Sequence, residues 1–200
     1  VEQTVATTQF QSTDARRAFP CFDEPDMKAS FGVTLVVPED LLAVSNGAEV
    51  SRTPLGDGTD RVVFADTIEL STYLVAFVVG PMEATDPVDV DGVPIRIIHP
   101  PGRGDQTAFA LEVAAHSLRW LADWYGIDVP GGKVDLVALP DFAFGAMENL
   151  GCITFREVLL LVDPESADQR ELESVASVLS HELAHLWFGD LVTMRWWNGI

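Results

Sequence analysis

The apolar residues of this chain change their spacing once, and that change limits the fold more than any other feature. From Val1 to about Ile98 they gather in short β-prone runs, Ser30–Val37, Arg61–Phe64, Tyr73–Val79 and Pro94–Ile98. Turn formers separate the runs: Pro38, Asn46-Gly47, Gly56-Asp57-Gly58, Gly80-Pro81 and Asp91-Gly92. This half reads as mostly antiparallel sheet. Beyond His99-Pro100-Pro101-Gly102-Arg103-Gly104 the apolar period becomes about 3.6. Thr107–Tyr125 then carries Leu111, Ala114, Leu118, Leu121 and Tyr125 on one face, which predicts an amphipathic helix ending near Gly126. The Pro/Gly segment therefore marks a domain boundary, with a β-rich unit over residues 1–98 and a mixed unit over 99–200.

Further along, Asp135–Leu139 reads as a strand, Pro140–Gly145 as a turn and Ile153–Val162 as one or two strands. Asp163-Pro164 offers an N-cap and a first-turn proline for a long helix, with Leu172, Val175, Leu179 and Leu183 at helical spacing and Gly189 as its terminator.

Charge removes whole classes of partner. The chain has 12 basic and 31 acidic residues and a formal charge of −19, which repels phosphate backbones and anionic membrane surfaces, so no nucleic-acid partner is expected. Cys21 and Cys152 form neither a disulfide framework nor a metal-binding pair, and both read as buried free thiols. The longest apolar runs have strand length and fall short of the ~18 residues a membrane span needs. The chain opens at Val1 without an initiator Met or leader and stops directly after an aromatic cluster, so both ends read as cut, and a cytoplasmic setting is expected.

The second long helix carries the chemistry. His181 and His185 are four residues apart, so both imidazoles leave one helix face one turn apart and can share one tetrahedral zinc. Glu182 lies about 100° further round. From there its carboxylate reaches a water held by the metal but not easily the metal itself, which suits a general base. A metzincin would need Gly and His where the chain has Phe188 and Leu191, so that class is excluded. A third ligand should then be a carboxylate from a following helix, and no acidic residue follows Asp190 in this sequence.

The stretch His181–Asn198, HELAHLWFGDLVTMRWWN, together with Gly145-Ala146-Met147-Glu148-Asn149, resembles the aminopeptidase N family of monozinc metallopeptidases. Thr8-Gln9, Asp14-Ala15-Arg16-Arg17 and Phe19-Pro20-Cys21-Phe22-Asp23-Glu24-Pro25 resemble the same family's N-terminal β-domain, so the likeness runs through the chain. It implies an α+β architecture, a β-rich N-terminal domain followed by the first part of a thermolysin-like catalytic domain, with one Zn2+ per chain and peptides bearing a free α-amine as substrates. It implies His181 and His185 as ligands, Glu182 as base, Glu148 as the group that binds the α-amine, and Gln9 as its assistant. Gly145, Ala146 and Met147 would belong to the strand that pairs with substrate, and the third ligand and an oxyanion-steadying tyrosine would lie beyond Ile200. Phe144 stands where smaller residues are common and would narrow the pocket for the first side chain; Leu186 replaces a frequent Gln; Ala146 favours a peptidase over epoxide-hydrolysing relatives. A thermolysin-like endopeptidase and a peptide-binding scaffold remain the alternatives, separated by whether a free α-amine is required and whether the metal site is complete. Asp190 is expected either beside a metal-binding imidazole or on the surface, and the Trp187, Trp196 and Trp197 cluster as core.

Overall fold

The computed structural model describes residues 4–163 and 165–199. In chain order the strands are β1 (Ala6–Thr7), β2 (Thr34–Pro38), β3 (Leu42–Ser45), β4 (Glu49–Pro54), β5 (Thr59–Phe64) and β6 (Phe77–Gly80). Then come β7 (Glu83–Ala84), β8 (Val88–Val90), β9 (Val93–His99), β10 (Val134–Leu139), β11 (Ala146–Met147) and β12 (Cys152–Arg156). The helices are α1 (Ala15–Ala18), α2 (Ala108–Tyr125) and α3 (Gln169–His185).

The N-terminal strands form two antiparallel sheets, β1-β6-β3 and β2-β5-β4. The remaining six make one mixed sheet, β11-β12-β10-β9-β7 with β8 also on β9. Its centre is parallel, β10 lying between β9 and β12, and both of its flanks are antiparallel. β9 precedes the Pro/Gly segment and β10 follows it, so the sheet draws on both sides of that segment. All six residues of β10 are buried, which a parallel strand covered on both faces requires. Each buried Leu or Val there contributes about 1.5–3 kcal/mol relative to exposure.

α2 ends as its sequence predicts, at Gly126 with φ 64°. It buries Ala114, Leu118 and Leu121 and packs on α3, where the Ser117 and Ser180 hydroxyls meet at 3.0 Å. α3 departs from expectation at both ends. Asp163 does not cap it, and Pro164 lies outside the described residues. Asp168 is the cap: its carboxylate accepts from the backbone of Arg170 (2.8 Å) and Glu171 (2.9 Å), and Glu171 accepts from Asp168 N in return. This reciprocal pair satisfies N–H groups that Asp163, five residues away, cannot reach. The last helical residue is His185, and Gly189 instead makes the tight turn that follows. A side chain at Gly189 would lie 3.1 Å from both Nδ1 and the carbonyl of His185, at a φ of 144°.

Two strand expectations also need correction. Tyr73 lies in a 3₁₀ turn, Thr72–Leu74, and the strand starts only at Phe77. The Ser71 hydroxyl bonds Pro25 O and the Thr72 hydroxyl bonds Asp23 (2.6 Å), so side chains turn the backbone away from ladder pairing. β12 stops at Arg156, whose guanidinium bonds the carbonyls of Phe142 and Ala143, and a 3₁₀ turn, Glu157–Leu159, follows. Trp187 is in the core, whereas Trp196 is half exposed; Cys152 is buried and Cys21 only partly.

Candidate functional site

A cavity of about 650 Å³ opens where α3, β11 and the turn after α3 meet, and His181, Glu182, His185, Glu148 and Ala146 line it. Helical spacing does what the sequence requires: the Nε2 atoms of His181 and His185 lie 3.1 Å apart with their rings perpendicular. Two nitrogens on one tetrahedral zinc would be about 3.3 Å apart, so the pair already has the bite of a metal site. Nδ1 of His185 is 2.8 Å from the carbonyl of Phe188. A carbonyl only accepts, so Nδ1 carries the proton and Nε2 presents its lone pair to the cavity. The imidazole's partner is thus Phe188 and not Asp190.

Three carboxylates gather behind the histidines. Donor atoms of Glu148, Glu182 and His185 lie within 4.8 Å of one another. Glu182 and Glu148 are both buried, and burial first, then the Glu148 charge, pushes the Glu182 carboxyl up to about 8. Asp190 is fully buried, its two carboxyl oxygens have no hydrogen-bond partner among the described residues, and burial together with Glu148 raises it well above the ordinary range. Tyr73, buried beside them, is raised too, by burial and then by Glu148 and Asp190. Carboxyl groups gathered this closely beside two imidazoles could hold a cation, which would draw them back to the ionised form.

β11 supplies the other wall. It pairs on one side with β12, Ala146 opposite Phe155 and Met147 opposite Thr154, and it ends the sheet. Its outer edge can accept an extended peptide beside the histidines.

The remaining sequence-derived residues fall differently. Gln9, Phe144, Gly145 and Met147 are not among the residues lining this cavity; both polar atoms of the Gln9 side chain are buried and have no hydrogen-bond partner among the described residues, Phe144 is half exposed and Met147 is buried. Sequence reasoning missed Gln11 and Tyr73, which do line it. Gln11 is two residues after Gln9 and had only that alternation as a signal, and Tyr73 was absorbed into an apolar run. The Tyr73 hydroxyl donates to Gly189 O at 3.3 Å, fixing it to the turn after α3.

The Peptidase family M1 domain model matches residues 109–200, and the Peptidase M1 N-terminal domain model matches residues 1–74. Among similar curated proteins, Puromycin-sensitive aminopeptidase of Caenorhabditis elegans is 48% identical over 200 residues, all of this chain and 21% of its own length. Aminopeptidase M1 of Arabidopsis thaliana is 43% identical over 98% of the chain and 22% of its own length. Alanine/arginine aminopeptidase of Saccharomyces cerevisiae is 44% identical over 98% of the chain and 23% of its own length. The chain spans little more than a fifth of the length of these relatives. The N-terminal match covers β1 to β5 and the second match covers nearly all of α2, the cavity strands and α3, both models belonging to one family, and so the chain belongs to peptidase family M1.

Proposed function

We propose that this chain forms the amine-binding and zinc-binding wall of an aminopeptidase that removes N-terminal residues from peptides. The observation that carries the reading is the convergence in one cavity of the His181 and His185 Nε2 atoms, 3.1 Å apart, with the buried carboxylates of Glu182 and Glu148 beside the free edge of β11. His181 and His185 would hold one zinc ion, with a further carboxylate ligand from beyond Ile200. Zinc, when bound, would supply Lewis-acid activation of water and of the scissile carbonyl.

The protein groups do the rest. Glu182 accepts a proton from the attacking water at its carboxylate and passes it to the leaving nitrogen. β11 aligns the peptide backbone through the Ala146 amide groups, with Gly145 and Met147 continuing that strand. Glu148 receives the substrate ammonium in a charge-assisted hydrogen bond of about 1.5–3 kcal/mol, with Gln9 as an assistant from the N-terminal unit. Because the amine is held at a fixed distance from the histidines, only the first peptide bond lies in reach, so binding and positioning are one interaction. Phe144 would bound the space for the first side chain. We also place the division between the β-rich and catalytic units at residues 1–98 and 99–200, on the strength of the change in apolar period, with β9, in which the division falls, pairing forward with β10.

In the full-length enzyme, Glu148→Ala lowers kcat/KM for a free-amine peptide by roughly 10–100-fold, and N-acetylated peptide is cleaved poorly by wild type. Efficient internal cleavage of the acetylated peptide would replace this reading with an endopeptidase.

A further inference from the structure

Glu148 sits between two fixed points, β11 on its N-terminal side and, on the other, a turn through Asn149, Leu150 and Gly151 that leads into β12. The turn closes through its own bond from Cys152 N to Asn149 O, 2.8 Å. What fixes it in space comes from elsewhere. Asn46, which directly follows β3 and is 5% exposed, donates through Nδ2 to Leu150 O and to Leu74 O, both at 2.8 Å, while its Oδ1 accepts from Ala76 N at 2.8 Å. Both amide protons and the amide oxygen are thus used in a buried place. Lys133, just before β10, directs its three protons to Gly151 O (2.5 Å), Ser45 O (2.8 Å) and Asp135 Oδ2 (2.8 Å). Gly151 has φ 72°, and a Cβ there would lie 2.3 Å from Asn46 O, so the turn and the end of β3 touch without room for a side chain.

We propose that Asn46, backed by Lys133, is a positioning residue for Glu148: by holding the carbonyls of Leu150 and Gly151 against the end of β3, it sets how far the Glu148 carboxylate stands from the zinc-binding histidines. The inference rests on the reading of Glu148 as the receiver of the substrate α-amine. Asn46 acts at a distance, through two residues of backbone. Geometry makes the link sensitive, because a carboxylate displaced by even 1 Å no longer meets an ammonium whose place is fixed by the metal at the other end of the same residue.

The test compares leucine hydroxamate with 4-methylpentanohydroxamate, which differ only in the α-amine, by calorimetric Kd on the zinc-loaded full-length protein. Their Kd ratio reads amine recognition separately from metal chelation. Asn46→Ala should reduce the amine's advantage by roughly 10-fold while the amine-free compound and the zinc content stay as in wild type. Glu148→Gln is measured beside it, as is Val62→Ala, which opens the core of the outer sheet away from the turn. Support requires that Glu148→Gln and Asn46→Ala both reduce the ratio and that Val62→Ala does not. If Glu148→Gln reduces it and Asn46→Ala leaves it alone, the positioning role is lost while the amine reading stands. If Glu148→Gln has no effect, the amine reading fails and takes the inference with it. An equal fall in Val62→Ala would reduce the Asn46 effect to general loosening and overturn the proposal. Asn46→Ser, smaller but still polar, is read by the same criteria if Asn46→Ala does not fold.

Discussion

In the proposed reading, Glu182 has to be buried enough to face the scissile bond and basic enough to take a proton. Burial and the neighbouring Glu148 carboxylate raise it to about 8; a cation beside it would work in the opposite direction, as would an ammonium on Glu148. The amide of Glu182→Gln keeps the shape and cannot accept the proton. In the full-length enzyme this substitution should lower kcat by about 10²–10⁴-fold with zinc content unchanged, measured by steady-state kinetics and metal analysis. A variant retaining a third of the wild-type rate would remove Glu182 from the role of base. His185 shows a second residue-scale device: the carbonyl of Phe188, on Nδ1, fixes which nitrogen faces the cavity, and the turn that delivers that carbonyl needs Gly189.

At the scale of elements, α3 is one helix with two jobs. Val175, Leu179 and Leu183 anchor it in the core, and the same turns project His181 and His185 into the cavity. Its start is held by the reciprocal bonds of Asp168 and Glu171, about three turns from the histidines. Asp168→Ala should therefore cost about 1 kcal/mol of stability. A urea titration would show it as a lower midpoint at unchanged slope, and hydroxamate affinity should not move. A coupled loss of affinity would mean that the helix end is not independent of the site. β11 is the opposite kind of element, two residues long and stable only because β12 and the turn after Glu148 hold it, which leaves its outer edge available.

Across the whole molecule, both walls of the cavity are fastened to the N-terminal unit. Lys28 Nζ donates to the carbonyls of Asp190 (2.7 Å) and Leu191 (3.0 Å), Tyr73 reaches Gly189, and Asn46 reaches Leu150. The Lys133–Asp135–Arg96 cluster ties β9 and β10 to the same junction, with contacts of 2.8 Å and 2.7 Å. Burial alone would raise the Asp135 carboxyl, but Lys133 and Arg96 overcome it and hold it below its ordinary value. A depressed folded-state pKa means that the unfolded chain binds the extra proton, so this contribution is present above about pH 4, the unfolded value, and is lost as pH falls through the folded value. Wild type should lose stability from about pH 4 downward. Asp135→Asn, which leaves Lys133 short of its counter-charge, should be about 3–5 kcal/mol less stable at neutral pH with a shallower acid limb. Parallel pH profiles for the two proteins would show that Asp135 is not the group responsible.

The sequence by itself determined what is local. The four-residue spacing of His181 and His185 guarantees a shared helix face, the change of apolar period announces where helices replace short strands, and Gly126 ends α2 where it stands. Glu148 has no such signal and was legible only through its likeness to a known motif. The tertiary structure decided the rest, because its causes lie far apart along the chain. Gln11 and Tyr73 enter the cavity, the Asp190 carboxyl is buried without a hydrogen-bond partner among the described residues, and Asn46 and Lys133 bind the turn after Glu148 from 104 and 18 residues away. A hydrogen bond between such distant residues leaves no periodicity in the sequence, since it depends on how the sheets pack and not on the rise or pitch of one element.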